Sequence, residues 1–153
     1  MNKKAPLTLE AVSLGISELM PNIIRGIQLD FFADRNITQT QFLMIVAISS
    51  YGRCRMSVLA QNMKIKMPTA TGIADRLVKA GYVCRFTEPN DRRVVLLELT
   101  EKGSLFFGDF RQAMRRRWEE VLRFLKKEDL RSFHQVIVKL RDNLKRSAAA
   151  GRS

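Results

Sequence analysis

The stretch Pro68–Gly103, PTATGIADRLVKAGYVCRFTEPNDRRVVLLELTEKG, decides the fold. Its first part predicts a helix, because proline suits a first helical turn and Ile73 and Leu77 form one apolar stripe. Gly81 follows this pattern and is typical of the left-handed residue that ends a helix. We therefore predict a helix that begins near the proline and runs to about Ala80.

After this helix, the apolar residues change to the alternation of β-strands. Tyr82–Thr87 and Val94–Thr100 are predicted strands, and Glu88–Arg93 between them is a polar turn. The alternation is strongest in the second strand, at Val95, Leu97 and Leu99. The two strands and their turn predict a β-hairpin with a basic tip.

Upstream of the helix, two further helices are predicted from their caps. Thr38, with Gln41 three residues later, forms a capping box for a helix that ends at Ser49–Gly52. Ser57 is the expected N-cap of a short helix over Val58–Lys64. Two short helices joined by a tight connection and followed by a basic hairpin predict a winged helix-turn-helix.

The two ends of the chain carry longer helical patterns. Pro21 lies inside the first pattern, where we expect a kink or a break. Thr100 is the expected cap of a long fifth helix, and a last helix follows Glu128 and Asp129. The tail Ser147–Ser153 is expected to fray. The last helix has apolar residues at the spacing of a coiled-coil seam: Leu130, Phe133, Ile137, Leu140 and Leu144.

The charge of the chain favours a polyanionic partner. Its 153 residues include 27 Lys and Arg against 15 Asp and Glu, for a formal net charge of +12. Such an excess favours nucleic acid or an anionic membrane surface. No apolar run is long enough to span a bilayer, and Glu10 and Glu18 interrupt any signal-peptide pattern. We expect a cytoplasmic protein.

Few residues offer catalytic or metal chemistry. The chain has one histidine, His134, and neither a Gly-rich phosphate loop nor a nucleophile–base signature. We expect no enzyme, no cofactor and no metal. Cys84 is expected to be a small buried apolar residue, whereas the arginines that flank Cys54 would favour its thiolate and leave a redox role open.

Double-stranded DNA is the partner that this architecture fits best. A helix enters the major groove and presents side chains to base edges, and arginines on the hairpin reach the minor groove or the flanking phosphates. The run Arg115–Arg117 on the fifth helix is more typical of a solvated face. The candidate DNA-contacting residues are Lys64, Lys66, Pro68, Thr69, Thr71, Gly72, Arg76, Asp91, Arg92 and Arg93.

The motifs within Ile37–Gly103 resemble the MarR family of bacterial transcription regulators. The resemblance implies that Asp91 pairs with Arg93 to brace the wing, and that the wing arginines insert in the minor groove. Gly72 departs from the family, because many members carry a long polar residue there. The motifs follow one another in the family's order: Asp75–Leu77, Gly81–Val83, Pro89–Arg93 and Leu99–Gly103.

The same resemblance implies a dimer and a small-molecule effector. The fold class is then mainly α, with a winged helix-turn-helix and its antiparallel hairpin wing inside a helical dimerisation domain. Residues 1–36 and 104–153 are the expected dimerisation helices and residues 37–103 the DNA-binding lobe of a single compact domain. The effector would be small and aromatic or lipophilic and would bind between lobe and dimer helices, at residues that stay unidentified.

The expected function is a sequence-specific, ligand-responsive repressor that binds a pseudo-palindromic operator as a homodimer. A sequence-nonspecific protein that coats DNA is the alternative, since the net charge of +12 and Gly72 suit it too. A membrane-surface or protein-interaction module that uses the winged helix only as a scaffold is a third hypothesis.

Overall fold

The computed structural model describes residues 8–27, 31–33, 35–88 and 90–150, which form six helices and three strands. The strands make one antiparallel sheet in the order β1-β3-β2. This architecture confirms a mainly helical chain with a small antiparallel wing. The elements are α1 (Leu9–Ile27), α2 (Gln39–Tyr51), β1 (Cys54–Arg55), α3 (Met56–Asn62), α4 (Met67–Lys79), β2 (Val83–Glu88), β3 (Asp91–Leu99), α5 (Glu101–Leu122) and α6 (Lys127–Ala150).

The chain divides into two compact units, the first ending at Arg115 and the second beginning at Arg116, so that α5 crosses the boundary. Every element from α1 to α5 contributes buried apolar side chains, and in α4 these are Ala70, Ile73, Ala74 and Leu77. Burial of one leucine-sized side chain stabilises the folded state by about 1.5–3 kcal/mol. The buried stripe therefore fixes which side of α4 faces the core. The assignment of residues 1–36, 37–103 and 104–153 to separate roles stays a prediction.

The capping box of α2 is confirmed. Thr38 Oγ1 accepts the backbone N–H of Gln41 at 3.3 Å, and Gln41 Oε1 accepts the backbone N–H of Thr38 at 2.7 Å. The helix ends at Tyr51, and Gly52 follows with a φ of +70°, a conformation that glycine adopts without strain. Both ends of α2 are therefore set by local sequence.

Thr38→Ala is expected to lower the free energy of unfolding by about 1 kcal/mol, because the substitution leaves the backbone N–H of Gln41 without its acceptor. Urea denaturation measures the loss. Thr40→Ala is the matched control, since Thr40 lies exposed in the same first turn and its side chain makes no hydrogen bond with any of the described residues. Equal losses from the two substitutions would show that the box does not stabilise the helix.

The predicted bounds of α3 are wrong at both ends. The helix begins at Met56, and its N-cap is Arg55, whose side chain makes no capping hydrogen bond. Ser57 lies inside the helix instead of capping it. The helix ends at Asn62, and Lys64 follows with a left-handed φ of +53°.

The early start of α3 follows from a strand that was not predicted. Cys54 and Arg55 form β1 and pair with Leu97 and Leu96 of β3. This pairing fixes an extended backbone immediately before the helix. A strand of two residues is too short for an alternating pattern, so its only signal is the long-range pairing itself.

The turn of the hairpin is shorter than predicted. Strand pairing extends to Glu88 opposite Asp91, so that the predicted polar turn Glu88–Arg93 is wrong. Water surrounds both faces of a hairpin tip, and polar residues therefore continue into the paired strands. The wing arginines Arg92 and Arg93 belong to β3.

The predictions for α4 and the start of α5 are confirmed. Pro68 lies in the first turn of α4, and Gly81 follows the helix with a φ of +78°. Thr100 Oγ1 accepts the backbone N–H of Gly103 at 3.1 Å and so caps α5. The helix, the hairpin and α5 follow one another as predicted.

The terminal helices are more regular than predicted. α1 runs through Pro21 without a break, and Ile23 and Ile27 beyond the proline are buried, which anchors its last turns. α6 stays helical to Ala150, beyond the point where fraying was expected. None of the helices within the described residues has the length and hydrophobicity to cross a bilayer.

Candidate nucleic-acid interface

A tight connection joins α3 to α4. Lys64 adopts a left-handed conformation, and the backbone N–H of Ile65 donates to the carbonyl of Ala60 at 3.0 Å. Lys66 is the N-cap of α4, and both lysines are exposed. The structure therefore places the two predicted lysines at the entrance of α4.

α4 exposes a strip of predicted site residues beside its buried stripe. Thr69, Gly72 and Arg76 follow one another at helical spacing, and Thr69 and Arg76 are exposed. A Cβ added to Gly72 would meet no atom within 4 Å, so the glycine leaves open space between its neighbours. Pro68 is also exposed, in the first turn of α4.

Thr71 lies on a different side of α4, next to the wing. Five helical positions separate it from Arg76, which corresponds to about 140° around the helix axis. Thr71 and Arg93 of β3 line one cleft of about 240 Å³ between α4 and the sheet. The other residues that line this cleft are Arg55, Met56, Ser57, Met67, Arg85, Val94 and Val95.

An ion pair ties α4 to the wing. Nη2 of Arg85 on β2 donates to Oδ1 of Asp75 on α4 at 2.7 Å. An exposed pair of this kind contributes only about 0–1 kcal/mol, so its main effect is to orient the sheet against the helix. Arg85 was missed as a site residue because nothing local in the sequence shows a pairing across ten positions.

Asp91 braces the backbone of the wing. Its Oδ1 accepts the backbone N–H of Arg93 at 3.0 Å, so the observed bond is to the main chain of the arginine. Arg93 is exposed and lines the cleft between α4 and the sheet, in a part of β3 where the pairing with β2 is irregular. The side chain of Arg92 lies outside the described residues. The DNA contacts of these residues remain predictions.

Arg53 holds the other face of the sheet together. Its Nε and Nη2 donate to Oε2 of Glu98 at 3.1 and 2.9 Å. Its guanidinium carbon lies 4.7 Å from the centroid of the Phe86 ring. Through these contacts the residue before β1 bridges β3 and β2, which stiffens the wing.

The structure corrects the expectations for both cysteines. Cys54 is buried, and burial raises the pKa of its thiol. The flanking arginines therefore do not favour a thiolate, and the premise of a redox role is wrong. Cys84 is only half-buried, and its Sγ donates to the carbonyl of Glu98 at 3.4 Å.

In the second unit, Arg117 and His134 lie next to other side chains of the same unit. Arg117 of the arginine run donates from Nη1 to Oε2 of Glu120 at 2.8 Å. His134 lies on α6 and lines an apolar groove with Trp118 and Phe133. Across the described residues, no group of three histidine, cysteine or acidic side chains could hold a metal ion.

An apolar cavity of about 470 Å³ lies in the first unit between α1, α2 and α5. Aromatic rings form much of its wall: the centroids of Phe32 and Phe42 are 5.0 Å apart, and those of Phe42 and Phe110 are 4.6 Å apart. None of the described residues that line it carries a charge. They are Ile24, Ile27, Phe32, Ile37, Gln39, Phe42, Leu43, Phe110 and Met114.

Known proteins resemble the lobe and the whole chain. The sequence profile of the MarR family matches residues 37–95. The HTH-type transcriptional repressor MdtR of Bacillus subtilis strain 168 is 25% identical over 138 residues, which are 90% of this chain and 88% of that protein. The HTH-type transcriptional regulator FarR of Neisseria gonorrhoeae is 30% identical over 105 residues, which are 69% of this chain and 72% of that protein.

Solved structures share the fold over nearly the whole chain. The transcriptional regulator Tm0710 of Thermotoga maritima has a TM-score of 0.77 at 23% identity, with 92% of this chain and 98% of that chain covered. Apo MarR of E. coli has a TM-score of 0.66 at 22% identity, with 90% and 98% covered. The likeness thus extends to the terminal helices. The chain belongs to the MarR family, whose members are transcription regulators that bind DNA and form dimers.

Proposed function

We propose that this chain is a homodimeric repressor that binds a pseudo-palindromic operator in the cytoplasm and releases it when a small aromatic or lipophilic molecule binds. One observation carries the proposal: α4 and the wing share a basic cleft, which Thr71 and Arg93 line together. The ion pair between Asp75 and Arg85 orients α4 and the wing relative to each other. A transcription regulator of this kind is not an enzyme.

The geometry fits a helix in the major groove with a wing beside it. In this proposal Thr69, Gly72 and Arg76 face the bases, and the exposed Lys64 and Lys66 approach phosphates at the entrance of the helix. The wing arginines reach the adjacent minor groove. In a dimer, two such helices would contact half-sites about 10 bp apart, which requires a pseudo-palindromic operator.

The terminal helices would supply the dimer interface. α1 and α6 each expose apolar side chains along one face, which in a soluble protein marks an interaction surface. In this proposal residues 1–36 and 104–153 dimerise, and residues 37–103 bind DNA. The name of the similar protein MdtR, a transcriptional repressor, supports repression as the outcome.

The aromatic cavity is the proposed effector site. Its volume of about 470 Å³ suits a small organic molecule, and its uncharged lining favours an aromatic or lipophilic one. Because α1, α2 and α5 all contribute to the wall, a ligand there would bias how the dimer helices and the DNA-binding lobe are arranged. A ligand that favours the wrong half-site spacing would release the operator.

Selection of bound fragments from sheared DNA of the source genome, at about 150 mM salt, tests the proposal. The native chain is expected to enrich a few pseudo-palindromic sites. Arg93→Ala is expected to lower this enrichment about tenfold or more, because it removes an exposed cation from the face of the wing that borders α4. Arg131→Ala, an exposed arginine on α6, is the matched control and should retain the enrichment.

Each other outcome contradicts the proposal. Uniform recovery of all fragments would indicate a protein that coats DNA without sequence preference. Unchanged enrichment by Arg93→Ala would exclude the wing from operator recognition. Recovery of no DNA at all would contradict a DNA-binding role for the basic surface.

A further inference from the structure

The aromatic cavity between α1, α2 and α5 offers a ligand only one polar side chain among the described residues of its wall. Eight of these residues are apolar, and the ninth is Gln39 in the first turn of α2. Gln39 is exposed, and its amide makes no hydrogen bond with any described residue. The capping bonds of α2 join Thr38 and Gln41 instead. A side-chain amide both donates and accepts, so that of Gln39 can bind a polar group of either kind.

The rest of the wall favours a ring in the ligand. The planes of Phe32 and Phe42 meet at 81°, and those of Phe42 and Phe110 at 62°. Rings at such angles present both edges and faces, against which a further ring packs well. Gln39 and Phe42 are three positions apart on α2 and therefore share one face of the helix. A ring packed against Phe42 would have a polar substituent close to the amide of Gln39.

Two arginines lie close in sequence to the lining residues, and both are engaged elsewhere. Nη1 of Arg35 donates to the carbonyl of Phe31 at 2.6 Å, and its guanidinium carbon lies 4.1 Å from the centroid of that ring. Nη2 of Arg25 donates to Oδ1 of Asn22 at 3.2 Å. Neither arginine lines the cavity. A carboxylate inside it would therefore meet no cation among the described residues of the wall.

We propose that the cavity takes an uncharged aromatic molecule with one polar group, which pairs with the amide of Gln39, and that it excludes aromatic carboxylates. The inference rests on the proposed function, since it names the ligand class of the effector site. An ionised carboxylate would exchange its water for an apolar wall, which is costly, whereas an uncharged amide, ketone or phenol loses much less hydration. The net charge of +12 attracts anions to the surface, but binding inside the cavity depends on contacts with its wall. Residues 28–30 and 34, which lie outside the described residues, include no lysine or arginine.

Matched pairs of probes test the charge preference on the native chain without DNA. The pairs are benzamide and benzoate, naphthamide and naphthoate, and biphenylcarboxamide and biphenylcarboxylate. The members of each pair share their rings and differ in charge at about pH 7.5. Isothermal titration calorimetry measures each dissociation constant. At least one amide is expected to bind, about thirtyfold or more tighter than the carboxylate of its pair.

Substitutions of Gln39 make the result specific to this residue. Gln39→Arg supplies the missing cation and should strengthen binding of the paired carboxylate about tenfold or more, through a charge-assisted hydrogen bond. Gln112→Arg adds the same charge at an exposed position of α5, about 200° around the helix from Phe110 and Met114, and should leave carboxylate binding unchanged. Gln39→Leu removes the amide and should weaken binding of the uncharged probe about fivefold. The comparison of probes on the native chain stands by itself if a variant fails to fold.

The outcomes separate this inference from the proposed function. If no amide binds, or if a carboxylate binds as tightly as its amide, the uncharged ligand class is wrong. Unchanged carboxylate binding by folded Gln39→Arg, or unchanged amide binding by folded Gln39→Leu, would show that Gln39 is not the polar partner. An amide that binds selectively, but does not lower the affinity for an operator duplex from the fragment selection, contradicts only the proposed release of the operator. An amide that releases the operator while its carboxylate does not supports both.

Discussion

Gly103→Ala is expected to lower the free energy of unfolding by about 3 kcal/mol, although it adds only one methyl group at the start of α5. The new Cβ would lie 3.0 Å from the carbonyl carbon of Tyr82, still closer to its carbonyl oxygen, and 3.4 Å from Cδ2 of Leu99. Two of these three atoms belong to the backbone. A backbone atom cannot rotate out of the way as the end of a side chain can. The backbone of Tyr82 or the first turn of α5 must therefore move.

Tyr82 has little freedom to make that shift. Its N–H donates to the carbonyl of Leu77 at 3.0 Å, and its carbonyl accepts the N–H of Thr100 at 3.1 Å. Its ring lies 5.1 Å from that of Phe106, centroid to centroid. These contacts join the end of α4, the start of β2 and the start of α5, and movement of Tyr82 would disturb all three.

Gly108→Ala is the matched control, in the same helix. A Cβ there would meet nothing within 4 Å, so the exchange should raise the free energy of unfolding by about 1 kcal/mol through helix propensity. Urea denaturation at one fixed protein concentration measures both, because the stability of a dimer depends on concentration. Similar changes from the two substitutions would contradict a steric role for Gly103.

The features that sequence predicted correctly are those with local causes. The capping box of Thr38 and Gln41, the proline in the first turn of α4 and the glycine after it all act within a few residues. The order of helix, hairpin and helix follows from the same local patterns. The family motifs then identified the lobe, because they lie in these elements.

The features that sequence missed depend on contacts between distant residues. β1 exists because Cys54 and Arg55 pair with β3 some forty positions later. The cleft between α4 and the sheet and the bond from Arg85 to Asp75 follow from that sheet geometry. The aromatic cavity was missed for a different reason: phenylalanines at helical spacing give the same pattern whether they fill a core or line a space.

Leu140→Glu on α6 is expected to weaken the proposed dimer about a thousandfold or more. Leu140 is 50% exposed and Leu144 71% exposed in the single chain, along the predicted coiled-coil seam. If a partner covers this seam, Leu140 is buried in each copy. The loss of both leucines then weakens dimerisation by about 4 kcal/mol. A glutamate would also have to lose its hydration on burial, which adds to the loss.

Gln135→Glu is the control, because it introduces the same residue at an exposed position nearly opposite Leu140 around α6. Sedimentation equilibrium gives the dimer dissociation constant of each variant. If Leu140→Glu dimerises like Gln135→Glu, the seam is not part of the interface, and the roles proposed for residues 104–153 are wrong.

Binding of operator DNA shows whether the dimer is needed for recognition or only for stability. A monomer of Leu140→Glu keeps α4, the wing and the cleft of its folded first unit, so it can still contact one half-site. Its affinity for an operator with two half-sites should then fall to that for a duplex with one half-site. The native chain should distinguish these duplexes strongly, because the second lobe binds at a high effective concentration once the first is in place. If the native chain and Leu140→Glu prefer the two-half-site duplex over the one-half-site duplex to the same degree, each lobe binds DNA independently. The operator then need not be palindromic.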